Sequence, residues 1–147
     1  MSAIIRAAGA ADRGGVCDLL AAARLPLDGL SEGLEHFLVA EENGRIVAAA
    51  GVEVYGDSVL LRSVVVSPEH RGAGMGGRLS DASLAMAQEL GARHAYLLTD
   101  TAEAFFRRRG FEVIDRKDVP AAIRGSVEFA VACPASAIVM HRAVTFA

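Results

Sequence analysis

At 147 residues, with 52% apolar and 22% charged side chains, the chain has the make-up of one folded domain, residues 1–147, large enough to bury a core of its own. A net charge of −3 argues against nucleic-acid binding through bulk positive charge. No apolar run reaches the roughly 18 residues of a spanning helix, and the most apolar stretch, 129–140, is broken by Cys133, Pro134 and Ser136, so no membrane span is expected. The start, MSAIIRAAG, lacks an apolar segment with a cleavage pattern, which makes the cytoplasm the expected location. Cys17 and Cys133 lie far apart, and the four histidines show no ligand spacing. Buried thiols and no metal site are expected.

In chain order, residues 3–6 read as a short edge strand. Residues 11–24 carry helical apolar spacing (Val16, Leu19, Leu20, Ala23) behind an acidic first turn at Asp12. The Leu25-Pro26-Leu27-Asp28-Gly29 segment breaks that helix, and 30–35 is expected to add another helical turn. Strands follow at 37–41 and 45–55, joined at Glu42-Asn43-Gly44, and Gly56-Asp57 turns the chain into a third strand at 59–66. A helix from Gly74 or Gly76 ends at Gly91, and 95–99 is a buried-looking strand. The intervening helix makes 64–66 and 95–98 a parallel crossover pair. A short helix at 102–109, capped by Thr101, a strand at 111–115, a helix over 119–132 after Pro120 and a last strand at 137–144 complete the chain. The expected class is α/β (α+β): a mixed, mostly antiparallel sheet of about six to seven strands, with one central parallel crossover and helices on both faces.

The chemistry is concentrated in residues 64–79, VVVSPEHRGAGMGGRL. A β-branched run, a basic residue, four glycines in six positions and a helix start make an anion-binding device, because successive N–H groups converge and the helix dipole adds to them. A Walker loop needs Gly-Lys-Ser/Thr, which Gly76-Gly77-Arg78 lacks. Gly72, Gly74 and Gly77 do spell G-x-G-x-x-G, with Asp100 near the end of the next strand. However, the first glycine sits six residues after Val66, and a single crossover does not build a doubly wound sheet.

Arg71-Gly72-Ala73-Gly74-Met75-Gly76 resembles the R-x-x-G-x-G acyl-CoA loop of the GNAT superfamily of N-acetyltransferases. The likeness runs from the first strand through AEAFFRRRGF. The segment TDTAEAFFRRRGFEVIDRKDVPAAIRGSVEFAVACPAS is similar to the GNAT acetyltransferases associated with arsenic-resistance operons, and more distantly to the acetylating domain of N-acetylglutamate synthases. The resemblance implies acetyl transfer from acetyl-CoA, as co-substrate and without a metal, to the amine of a small amino-acid-like acceptor. It places the pyrophosphate on the loop 71–76 and the pantetheine arm along Val64, Val65 and Val66. Phe105 and Phe106 then wall the CoA channel, and a backbone N–H near Val64 or Val65 stabilises the oxyanion.

Glu53, in GVEVYG, is the first candidate for the general base, ahead of Glu41 and Glu42; a solvated carboxylate is the alternative. Arg62 is placed to meet an acceptor carboxylate or to form a structural ion pair, and Arg24, Leu25 and Pro26 to form the acceptor lid. Arg107–Arg109 read as a solvated helix end, one of which is able to meet a CoA phosphate. Many superfamily members carry a tyrosine acid where this chain has Phe106, which leaves Ser63, Thr99, Tyr96, water or unassisted departure for the thiolate. An enzyme and a non-catalytic acyl-CoA-binding module therefore both stand. In either case the ligands are small molecules, and a homodimer is expected through exposed sheet edges.

Overall fold

Turn chemistry builds the first half of the sheet. The computed structural model describes residues 3–126, 129 and 137–144. Strands β1 (Ile4–Ala7), β2 (Phe37–Glu42), β3 (Arg45–Tyr55) and β4 (Ser58–Val66) lie side by side and antiparallel. Asn43 and Gly44 both take positive φ (53° and 78°), the two-residue geometry whose twist matches a hairpin, and Glu42 pairs with Arg45 across it. Helix α2 (Met75–Glu89) then carries the chain to β5 (His94–Thr99), parallel to β4. Strand β7 (Ile138–Ala143) inserts between β5 and β6 (Glu112–Ile114), antiparallel to both. The sheet is thus seven-stranded and mixed with one parallel pair, as the sequence implies.

Two layers of helix cover it. On one face α2 and α3 (Glu103–Arg108) bury Leu84, Ala87 and Phe106 against Val59, Leu61, Leu97 and Met140. On the other, α1 (Arg13–Ala22) buries Val16 and Leu20 against Val39, Ala49 and Val65, and α4 (Ala121–Arg124) buries Ile123 against Leu60, Tyr96 and Val139.

Several local expectations are corrected. Residues 30–35 form no helix. Leu34 (φ 50°) and His36 (φ 61°) take left-handed backbone instead, and Leu34 is drawn completely into the core beside α1. Helix α1 is shorter than 11–24, because a 3-10 turn at Ala10–Asp12 precedes it. Thr101 does not cap α3: the N-cap is Ala102, with no side-chain cap bond, and Thr99 Oγ1 accepts the Ala102 N–H at 3.0 Å in the turn before the helix. Cys17 is half-buried. Cys133 and most of the helix expected beyond Arg124 lie outside the described residues. No helix among the described residues is long and apolar enough to cross a membrane.

Arg6 fastens β1 to the start of α1 and to β2. Its guanidinium donates to both Asp12 oxygens at 2.9 Å and to Glu41 Oε1 at 2.7 Å. These bonds, with a further one from the Gly9 N–H, hold the Asp12 carboxyl down at about 2 against an ordinary 3.8. The folded carboxyl keeps its charge to lower pH than the unfolded one, so the stabilisation is full above about pH 4 and is lost as pH falls toward 2. Asp12→Asn is accordingly expected to destabilise the protein at neutral pH. Denaturant melts across that window should show wild type and variant converging on acidification, and a pH-independent gap would assign the loss to something other than this carboxylate.

Candidate active site

Strands β4 and β5 pair only from Ser58↔His94 to Leu60↔Tyr96 and then part. The gap between the arms is a cleft of about 1020 Å³. Its walls are Leu61–Val66 on one arm and Leu97–Ala102 on the other, with Phe105 and Phe106 from α3. Arg71 and Gly76 stand at the glycine-turn end, and Arg24, Leu25 and Pro26 close the end beyond α1. The structure therefore brings together the arginine fork, the lid, the valine strand, the phenylalanines and part of the glycine loop.

A bulge shapes the β4 arm. Gly51 faces Arg62 and Ala49 faces Val65, so β4 spends one residue more than β3 over this stretch, and Ser63 takes φ 60° within it. The extra residue reverses which side chains face which layer: Leu60 and Arg62 point toward α1 and α4, whereas Val64 and Val66 pack toward α2. It also sorts the amides. The Ser67 N–H reaches Val47 O at 2.8 Å, so strand alternation commits the Val65 N–H to Ala49 and turns the Val66 N–H to the open side. Ser63 and Val64 stand opposite Ala50 without ladder partners.

The glycine turn follows. His70 closes a 3-10 turn at Pro68–His70, with Nδ1 2.6 Å from Ser67 Oγ and Nε2 3.2 Å from Glu42 Oε1. Arg71 Nε donates back to Val66 O at 3.1 Å. Gly74 is the N-cap of α2 at φ 82°, a conformation that aims the first amides of a 15-residue helix at the cleft mouth. Gly77 serves a different end. A β-carbon there would run into the Arg109 guanidinium, which pairs with Asp81 at 2.9 Å and lies over the Phe105 ring. Of the neighbouring arginines, Arg107 pairs with Glu103 at 2.7 Å, and Arg108 is exposed at the cleft wall.

The residues proposed separately as base and acceptor fork meet each other. Arg62, its side chain fully buried, donates from Nη1 to Glu53 Oε2 at 2.7 Å, from Nη2 to Asp28 O at 2.8 Å and from Nε to Ser63 Oγ at 3.0 Å. The Tyr55 hydroxyl donates to the other Glu53 oxygen at 2.6 Å. Burial first, and then the bond to Glu53, push Tyr55 up to about 12, so it remains a donor at neutral pH. Arg62 faces the main cleft, whereas Glu53 lines a recess of about 190 Å³ with Gly29, His36 and Phe37. Tyr55 was missed in the sequence. The signal was its two-residue spacing from Glu53, which places both on one face of a strand.

Phe105 and Phe106 meet edge to face at 4.9 Å, and Phe106 continues the same contact onto Phe111. Tyr96 points away from the cleft, toward the His141 ring at 4.9 Å. His141 is itself within 3.0 Å of His94, and burial with that neighbour pulls its value down. No group of three or more metal-ligating side chains occurs among the described residues.

Comparison with known proteins gives this geometry a family. The acetyltransferase (GNAT) domain model matches residues 33–113, more than half of the chain. The chain belongs to the GNAT acetyltransferase family. The amino-acid acetyltransferase of Pseudomonas fluorescens (strain Pf0-1) is 31% identical over 128 residues, covering 81% of this chain and 30% of its own length. That of Aeromonas salmonicida (strain A449) is 27% identical over 124 residues, covering 78% and 28%. This GNAT domain thus spans about 30% of the length of the curated relatives it matches. Among solved structures, Rv2747 from Mycobacterium tuberculosis in complex with CoA and NLQ superposes with a TM-score of 0.81 at 25% identity, over 95% of this chain and 98% of that one. N-acetylglutamate synthase from Neisseria gonorrhoeae, complexed with coenzyme A and N-acetyl-glutamate, shares the fold at a TM-score of 0.83 and 21% identity, over 99% and 36%.

Proposed function

We propose that the protein is an N-acetyltransferase that moves the acetyl group of acetyl-CoA directly onto the amine of a small, amino-acid-like acceptor. The observation that carries this reading is the parting of β4 and β5 after Leu60 and Tyr96, which opens one cleft from the glycine turn to Arg24. The pyrophosphate is expected on the amides of 71–76 at the α2 N-terminus. The pantetheine arm pairs with the open edge of Val64–Val66 like an added strand. For the oxyanion, Val64 is favoured over Val65, whose N–H alternation commits to Ala49.

The acceptor side is read with the ion pair in view. All three Arg62 nitrogens already donate, so an incoming carboxylate is better served by Arg24, exposed at the lid beside Leu25 and Pro26. Both Glu53 oxygens likewise accept strong bonds, which favours a bridging water over direct proton abstraction by Glu53. Exposed Ile4 on the edge strand β1 supports a homodimer. The likeness to acetyltransferases of arsenic-resistance operons makes an arsenical amino-acid analogue a physiological acceptor to try.

The test is thiol release from acetyl-CoA in the presence of the α-amino acids and such an analogue. Amine-dependent release with formation of the N-acetyl product is expected. Tight CoA binding without release from any of them would leave the binding-module reading, for which Phe106 in the usual tyrosine position speaks.

A further inference from the structure

Resting on the acetyl-transfer reading above, we propose that the Ser63 hydroxyl passes the proton to the departing CoA thiolate. The register locates it. Leu60 and Tyr96 are the last pair before the arms part, and three residues further on Ser63 and Thr99 line the cleft from opposite sides. Phe106 carries no proton to give, and Tyr96 points toward His141. Two hydroxyls therefore stand at the level where the strand-like pantetheine arm ends and the thioester begins.

Their surroundings differ. Thr99 Oγ1 accepts a neutral backbone N–H, from Ala102, and is engaged in the turn that leads into α3. Ser63 Oγ accepts from Nε of Arg62, a buried and permanently charged guanidinium, at 3.0 Å. Positive charge fixed against the oxygen stabilises the negative charge that grows there as its proton leaves. With that lone pair used by Arg62, the Ser63 O–H must donate elsewhere, and among the described residues it has no acceptor. The backbone adds an independent sign. Ser63 holds φ 60° in a bulge at the cleft, a strained conformation of the kind that persists at functional sites.

A serine hydroxyl is a far weaker acid than a thiol, so it serves as a relay and not as a standing acid. As the C–S bond of the tetrahedral adduct breaks, its electron pair settles on sulfur and the Oγ proton moves to it, giving CoA-SH. In the same step Oγ takes the surplus proton of the former amine, directly or through one water. Serine ends as it began, and Arg62 keeps its protons throughout.

Ser63→Gly tests this, because glycine accepts the positive φ while losing the hydroxymethyl group that carries the proton. Measured with acetyl-CoA and the α-amino acids, the variant is expected to keep its melting temperature within a few degrees and its CoA affinity within about twofold. Its kcat should fall about 10²-fold or more, within the range of a lost proton-transfer group. With the selenium analogue of acetyl-CoA, whose selenolate departs without a proton, the gap between wild type and variant should close at least tenfold. An unchanged kcat, or an equal loss with both donors, would overturn the role, as would a large loss in Thr99→Val with Ser63→Gly fully active. A wild-type protein that binds acetyl-CoA yet releases no thiol overturns the transfer reading itself, and this role with it.

Discussion

Arg62→Met is expected to cost the domain about 3–5 kcal/mol, the range for breaking a buried ion pair from one side. The methionine fills the space of the aliphatic stem but returns none of the hydrogen bonds. Glu53 is then left in a partly closed recess with Tyr55 as its remaining bonded partner among those described above. The loop 24–30 also loses its tie at Asp28 O, and with it the placement of Arg24, Leu25 and Pro26 over the cleft. The Glu53 side chain is 22% exposed, so water reaches it and holds the cost toward the lower end of the range. Glu53→Gln keeps the shape and one accepting oxygen, and should cost less. Arg62→Met combined with Glu53→Met should recover part of the loss, because an apolar replacement of a whole pair leaves no stranded charge. Urea unfolding of wild type, Arg62→Met, Glu53→Met and the double variant closes the cycle. A single Arg62→Met loss below about 0.5 kcal/mol, the size of an ordinary surface substitution, would show that the pair holds nothing together.

Much of the backbone of the candidate donor side was legible because its instructions are local. The Asn43-Gly44 turn, the Arg71–Gly76 loop and the Gly91 stop each state a backbone conformation in one or two residues, and all three take positive φ where the spelling implies it. The crossover between β4 and β5 followed from a helix between two apolar runs. The acceptor side was not legible, because it depends on register. The register running out of the Gly56-Asp57 turn puts Arg62 on the Glu53 face of β3, but a one-residue bulge at Ser63 turns Val64 and Val66 to the opposite layer, and nothing in RSVVV announces an inserted residue. The same holds for 30–35, where a further helical turn was expected. Burial of a single side chain, Leu34, outweighed that weak local preference, and the segment has glycines at 29 and 33 to help it bend.

The bulge, the ion pair and the parted strands form one device. Parting β5 from β4 strips the inner arm of its hydrogen-bond partners, and the bulge turns Arg62 to the opposite layer from Val64 and Val66. On the proposed reading, a donor in the open edge and an acceptor arriving past Arg24 approach the same point from opposite faces of the sheet. Phe106 fits this arrangement as a wall, packed on Phe105 and Phe111. With the proposed Ser63 relay its lack of a hydroxyl is compatible with transfer, and without that relay it favours the binding-module reading.

Gly74→Val is expected to separate binding from folding at the other end of the cleft. Gly74 sits at φ 82° as the N-cap of α2, and a β-carbon placed on it meets nothing within 4 Å. Any effect therefore arises from conformation and not from collision. A β-branched residue resists this region, which costs roughly 1–2 kcal/mol for L-residues in general, so the chain is expected to relax locally at the exposed turn and keep its fold. What it cannot keep is the aim of the amides around Gly74, which are free to converge only while the N-cap is left-handed. Each hydrogen bond to a charged group is worth about 1.5–3 kcal/mol, so losing two weakens acetyl-CoA binding by roughly 10²-fold or more. Acetyl-pantetheine lacks the pyrophosphate and, on the proposed reading, uses the Val64–Val66 edge alone. Its affinity should be unchanged in the variant, and calorimetry with both ligands reads the difference directly. Equal weakening of the two would move the anion site away from the glycine turn, and unchanged affinity for acetyl-CoA would remove the turn from donor binding altogether.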